Sequence, residues 1–259
     1  MSHSVGRIPH EGLGFHGPGL FGAFASVASA SRALGLNADD VVHALGHAGE
    51  QAAYDLPQIT KDLGRTYHTA KVRFKMWASR VPNHGTLEAI RPLRKPHPIP
   101  AGEVKAVGIR LGRGYLQIVG WVYTPTTITS AQLNLFYVTA IMLLENDVFT
   151  GQFTEKKIRD PKVLDLIGRI SINDASMDGT GHAEGNPVEI ELTDGTVLSA
   201  WGKVRGHAEN PIHREDAVDK FRKVTTGRLS PEKQTEVIAL CERLDTLDDT
   251  SVLTDALQA

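Results

Sequence analysis

Val188-Glu189-Ile190-Glu191-Leu192-Thr193-Asp194-Gly195-Thr196-Val197-Leu198-Ser199-Ala200-Trp201 is the stretch on which the fold turns. Apolar and charged residues alternate strictly over Val188–Leu192, the period of a strand with one face buried. Asp194-Gly195 then supplies a tight turn into a second apolar run, Val197 to Val204. Two such runs around a Gly-containing turn predict an antiparallel hairpin.

Upstream, Val104–Leu111 is strand-like, and Ser130 to Leu144 reads as a single, nearly all-round apolar helix. Asp160-Pro161 opens an amphipathic helix over Val163, Leu164 and Ile167, followed by a strand at Ile170 and Ile172. Strand, helices, strand and hairpin suggest an α+β domain whose antiparallel sheet is covered by helices. Outside this block the chain is helical. Gly35-Leu36 ends a small-residue helix from Pro18 to Leu34, and Asn37 caps a second helix running to about Ala53. After Asn210-Pro211, helices are expected at about 214–224, 230–244 and 248–257. The plan is helical, then α+β, then helical.

With 259 residues, 41% of them apolar, the chain has material for one large core or two smaller ones. A net charge of −2 gives no basic excess that would favour nucleic acid or an anionic membrane. One cysteine, Cys241, forms no internal disulfide framework and suits a reducing cytoplasm. Neither a secretory signal nor a bilayer-spanning apolar run is read, so a soluble, cytoplasmic protein is expected.

Gly12-Leu13-Gly14-Phe15-His16-Gly17 satisfies G-x-G-x-x-G, but no strand precedes it, which argues against a dinucleotide site. The same glycines could hold a loop against the helix from Pro18, whose amino terminus attracts carboxylates; His16 beside it is then a candidate for anion binding or a structural histidine. His43 and His47 share a helical face without the H-E-x-x-H pattern, so no metal is expected. In Val72-Arg73-Phe74-Lys75-Met76-Trp77, Lys75 stands among large apolar residues. It is either a partly dehydrated carboxylate-binding lysine or a charge at a strand edge.

Taken in order, several segments resemble the carboxy-terminal part of the MmgE/PrpD family, which includes 2-methylcitrate dehydratase, cis-aconitate decarboxylase and iminodisuccinate epimerase. They are Gly14-Phe15-His16 with Leu34-Gly35-Leu36, Ala44 to Gly49, Phe74-Lys75-Met76-Trp77 with His84, and Ala131-Gln132 to Phe136-Tyr137. Gln152-Phe153-Thr154, Arg159-Asp160-Pro161, Leu192 to Gly195, and Asn210-Pro211 with Lys220-Phe221-Arg222 continue the series.

The resemblance implies a mainly α protein with an inserted α+β lid: a partial helical domain of 1–66 and 213–259, a lid of 67–212, and an active site between them. It carries catalytic roles onto His16, Lys75 and His84, and implies a lyase of the 2-methylcitrate dehydratase type, with a decarboxylase or an epimerase as alternatives, acting on a small polycarboxylate with no cofactor. The chain resembles a shortened member, since the family's amino-terminal helical portion and the helices expected between Ala53 and Leu63 have no counterpart. The alternatives are an inactive structural remnant or one chain of a split enzyme. Helices left uncovered in this way predict a homo-oligomer, or a partner chain that supplies the missing helices.

Overall fold

The computed structural model describes residues 17–49, 65, 72–94, 99–175 and 185–258, and its contacts divide the chain into two units, Met1–Val72 and Arg73–Ala259.

In the first unit α1 (Gly17–Ala33) packs on α2 (Ala38–Gly49). Their junction follows from the residues that the sequence singles out. Gly35 takes the left-handed conformation, φ +64, and the Leu36 N–H reaches back to the Ser31 carbonyl at 3.0 Å. This 6→1 bond closes the last turn of α1. The Asn37 side chain accepts the Asp40 N–H at 2.9 Å and caps α2. The expected extension of α2 to Ala53 lies outside the described residues, as does His16.

The second unit is built on β1 (Val104–Leu111), β2 (Ile170–Asp174), β3 (Gly185–Leu192) and β4 (Val197–Lys203), in the order β2-β1-β3-β4. The hairpin is present: β3 and β4 are antiparallel, with Val188 opposite Ala200 and Ile190 opposite Leu198. Gly195 has φ +88, and Asp194 Oδ1 accepts the Thr196 N–H at 2.8 Å. The sheet as a whole corrects the expectation of antiparallel pairing, because β1 and β2 run parallel, with Val107 opposite Ile170 and Ile109 opposite Ile172. A helical crossover joins them: α4 (Arg113–Val119), α5 (Ile128–Leu133), α6 (Leu135–Glu145) and α7 (Pro161–Ile167). Parallel strands need a crossover of a dozen or more residues, usually helical, and this connection supplies one.

A second correction concerns the apolar helix expected over Ser130–Leu144, which is two helices broken at Asn134. Asn134 has extended backbone angles, φ −92 and ψ 126; it ends α5 and caps α6 by accepting the Tyr137 N–H at 3.2 Å. Its amide also donates to the Trp121 carbonyl at 2.7 Å. Local side-chain bonding to the backbone is the usual means by which Asn interrupts a helix. Hydrophobic periodicity does not register it.

The long helix α3 (Val81–Leu93) crosses β3 and β4, with α6 also packed against it, and is buried continuously from Asn83 to Ile90. Gly85 of α3, Gly185 of β3 and Gly202 of β4 let the backbones approach to contact. A methyl group on Gly202 would overlap the Gly85 carbonyl oxygen, and one on Gly185 would overlap the Gly202 carbonyl. Around this joint lies a single core containing Val107, Ile109, Leu135, Val138, Val188 and Ile190.

Three helices follow, α8 (Arg214–Thr225), α9 (Pro231–Glu242) and α10 (Ser251–Ala256), close to the expected positions. Val237, Leu240 and Ala256 form a small core of their own. α8 is tied to the sheet domain by Arg205–Asp216 at 2.8 Å and Lys223–Asp147 at 2.5 Å. No helix among the described residues is long and apolar enough to cross a membrane.

Candidate functional site

The run from Arg73 to Arg80 has no regular secondary structure and is held in place by contacts with the rest of the unit. The Phe74 N–H donates to the Gly206 carbonyl at 2.7 Å and the Ala78 N–H to the Val148 carbonyl at 3.0 Å. The Trp77 indole donates to buried Glu88 at 3.1 Å. Arg80 then occupies the position before α3, extended at φ −68 and ψ 142, with Pro82 in the first turn. Proline is at home there, where a helix leaves its N–H groups unbonded.

This run forms one wall of a cleft of about 230 Å³, and the end of α5 forms the other. Its polar lining is Lys75, Ser79, Arg80 and Gln132; its apolar lining is Trp77, Ala78 and Leu133. The Arg80 N–H donates to the Gln132 carbonyl at 3.4 Å, which joins the walls. Two of the segments carrying the family resemblance, Phe74–Trp77 and Ala131-Gln132, thus converge on one cavity. No carboxylate lines it among the described residues.

Lys75 stands at the exposed side, yet the flanking walls take water from its ammonium group. That loss, together with the charges of Arg80 and Lys220, lowers its pKa below the usual lysine value. Among the described residues neither Lys75 nor Arg80 has a carboxylate partner. Lys220 donates to the Lys75 carbonyl oxygen, so α8 adds a third cation nearby.

His84 does not line the cleft. It sits behind the wall at 2% exposure, and its ring Nε2 meets the Ser79 carbonyl at 3.4 Å. A carbonyl only accepts, so Nε2 carries the proton. Burial pushes its pKa down to about 4, against the opposing Ser79 bond, and the charges of Lys75, Arg73 and Lys220 push it the same way as burial. At pH 7 it is a neutral ring. The folded protein therefore binds this proton less readily than the unfolded chain, whose histidine titrates near 6.5. Stability should be fully present above pH 6.5, fall as pH drops from 6.5 towards 4, and lose nothing more to this group below that. The loss is roughly 3 kcal/mol. Urea unfolding at pH 7 and pH 4.5 checks it: His84→Gln should flatten the slope, and an unchanged slope would show that another group causes it.

Sequence reasoning singled out Lys75 and His84 but passed over Arg80, Ser79 and Gln132. Arg80 stands in the same short run as Lys75, and the sequence does not set it apart from Arg73, which is there too. Gln132 carries no signal of its own beyond its place beside Ala131.

Residues 77–246 match the family model of the MmgE/PrpD C-terminal domain. Among curated proteins, cis-aconitate decarboxylase of Aspergillus terreus is 24% identical over 221 residues, which is 81% of this chain and 45% of that protein. A cis-aconitate decarboxylase-like protein of Aspergillus oryzae is 24% identical over 213 residues, 79% of this chain and 44% of that protein. Mouse cis-aconitate decarboxylase is 26% identical over 200 residues, 72% of this chain and 39% of that one. The chain spans less than half the length of these relatives.

Proposed function

Because the chain belongs to the MmgE/PrpD family, we propose that it serves as a cofactor-independent lyase on a small polycarboxylate, bound in the cleft of Lys75 and Arg80. The observation that carries this reading is a cleft lined, among the described residues, by two cations and no acid. Dehydration removes a proton beside a carboxylate and expels hydroxide, which leaves as water. Decarboxylation breaks a C–C bond and leaves its electron pair on carbon for a proton to quench. Both build negative charge next to existing carboxylates, and preorganised cations stabilise that charge. Lys75 pairs with a substrate carboxylate in this reading, and His84 positions the Ser79–Arg80 turn. His16 is the candidate for proton transfer. The division into 1–66 plus 213–259 and a lid of 67–212, and association with a second copy or a partner chain, belong to the same reading.

A 2-methylcitrate dehydratase type follows from the family resemblance, while the similarity to cis-aconitate decarboxylases favours loss of carbon dioxide. Incubating the chain with 2-methylcitrate and with cis-aconitate, and following products by NMR, separates the two. A second reading, a scaffold that binds without turnover, is favoured by a cleft lining that holds no carboxylate or imidazole among the described residues. Under it neither acid is consumed although both bind. Under both readings Lys75→Ala should weaken binding of tricarballylate, an unreactive tricarboxylate, on the order of tenfold, because it removes a charge-assisted contact. Unchanged affinity in calorimetry would remove Lys75 from the site.

A further inference from the structure

β4 is an edge of the sheet, with only β3 beside it among the described residues. Which of its backbone groups face outward follows from the hairpin. The Leu192 N–H donates to the Thr196 carbonyl at 2.8 Å, so these two form a bonded pair, and bonded pairs recur at every second residue of an antiparallel ladder. Leu198, Ala200 and Gly202 therefore bond to β3, opposite Ile190, Val188 and Asn186. Pro187, which has no N–H to give, stands opposite Trp201 at one of the pairs in between. Val197, Ser199 and Trp201 consequently aim their N–H and C=O groups away from the sheet, where no described residue meets them.

Their side chains share the face of the sheet opposite α3. Val197 is 60% exposed and Trp201 50%. Proteins usually blunt a bare edge with charge, proline or shortness. The other edge, β2, is treated in that way: it has five residues and ends in Asn173-Asp174, with Arg113 paired to Asp174 at 3.0 Å. β4 has seven residues, and its one charge is Lys203 at the end.

We propose that β4 pairs edge to edge with β4 of a second copy of this chain, antiparallel about a twofold axis at Ser199, so that the two sheets become one. Association with a second copy is part of the functional reading above, and the edge gives it a surface and a register. A twofold contact uses the same strand from both copies, so outward groups must meet outward groups. Among the registers that allow this, the one centred on Ser199 places Val197 opposite the second copy's Trp201, and Trp201 opposite its Val197. An aromatic against a β-branched side chain is a favourable cross-strand pair. The same register brings exposed Lys203 beside the second copy's exposed turn, where Asp194 supplies the opposite charge. Centring the pair on Ala200 would instead set Val197 against the lysine.

Sedimentation of the full chain over a concentration series, together with disulfide trapping in a Cys241→Ser background, tests this. One strand edge is a small interface, so the wild type should pass from monomer to dimer with a Kd on the order of 10–100 μM. Ser199→Pro removes an outward N–H and leaves the bonds to β3 in place, and Trp201→Lys sets a charge opposite Val197. Each should weaken the dimer by about tenfold or more, and the exposed Trp201 position guards against a folding failure of the proline variant. At the axis the two Ser199 Cα atoms would lie about 5.5 Å apart, within reach of a disulfide, so Ser199→Cys should cross-link under mild oxidation. Lys203→Cys should not, because its two copies would be displaced along the strands by more than about 20 Å. A dimer that Trp201→Lys leaves intact, or equal cross-linking at 199 and 203, would overturn the edge pairing while leaving association through another surface in place. A wild type that stays monomeric at millimolar concentration would overturn both.

Discussion

Gly202→Ala should cost more than about 4 kcal/mol, enough to prevent a stable sheet domain from forming. The added methyl would overlap the Gly85 carbonyl oxygen and the Ala89 backbone nitrogen, and would stand 2.9 Å from the Ala89 Cα. All three are backbone atoms in the buried middle of α3, so no side chain can swing aside. Relief requires lifting the helix from β3 and β4, which opens the core around Val188 and Ile190, both fully buried. Gly108→Ala in β1 is the matched control, since nothing lies within 4 Å of its added methyl. That variant should stay within about 1 kcal/mol of the wild type. Soluble expression and urea unfolding of the two variants check the contrast, and a Gly202→Ala protein as stable as Gly108→Ala would refute the close approach of helix and sheet.

Glu88→Ala should cost about 3–5 kcal/mol, the loss typical of stripping one partner from a buried ion pair. The Glu88 side chain is 5% exposed; it accepts from the Trp77 indole at 3.1 Å and pairs with Arg205 at 3.0 Å and Arg91 at 3.4 Å. Arg205 continues to Asp216 on α8, so this carboxylate links the cleft wall, α3, the segment after β4, and α8. Burial by itself would lower the Arg205 pKa, and Glu88 with Asp216 raises it above the usual value. Removing Glu88 leaves a partly buried guanidinium short of a counter-charge and an indole N–H without its acceptor. By contrast, the Lys105–Glu191 pair has side chains 60% and 38% exposed, and Lys105→Ala should cost less than about 1 kcal/mol. Denaturant midpoints at pH 7 distinguish the two variants; equal costs would show that the Glu88 network contributes no more than a surface pair.

Local signals carried much of the fold into the sequence. The alternation over Val188–Leu192 and the turn at Asp194-Gly195 are short-range features, and so are the caps at Gly35, Asn37 and Asp160, which accepts the Lys162 N–H at 2.9 Å. What escaped is what depends on distant partners. The parallel pairing of β1 with β2 joins segments about 60 residues apart, and nothing in either strand states its direction. The break at Asn134 is invisible to an apolar count, because one polar residue among many apolar ones changes the count little while its amide redirects the chain. The glycine joint needs three positions, 85, 185 and 202, that are unremarkable when taken singly. At the site, Lys75 was legible as a cation among apolar residues, and a resemblance pointed to His84. That His84 would be buried and neutral, or that Arg80 and Gln132 would face each other across the cleft, depends on where α5 packs.

The central claim is that a polycarboxylate occupies the cleft of Lys75 and Arg80, and NMR titration of the isotope-labelled chain with tricarballylate tests it most directly. The account predicts saturable shifts concentrated on the backbone amides of 75–85 and 131–134, lost in the Lys75→Ala, Arg80→Gln double variant. Shifts that cluster elsewhere, or that persist unchanged in the double variant, would contradict it.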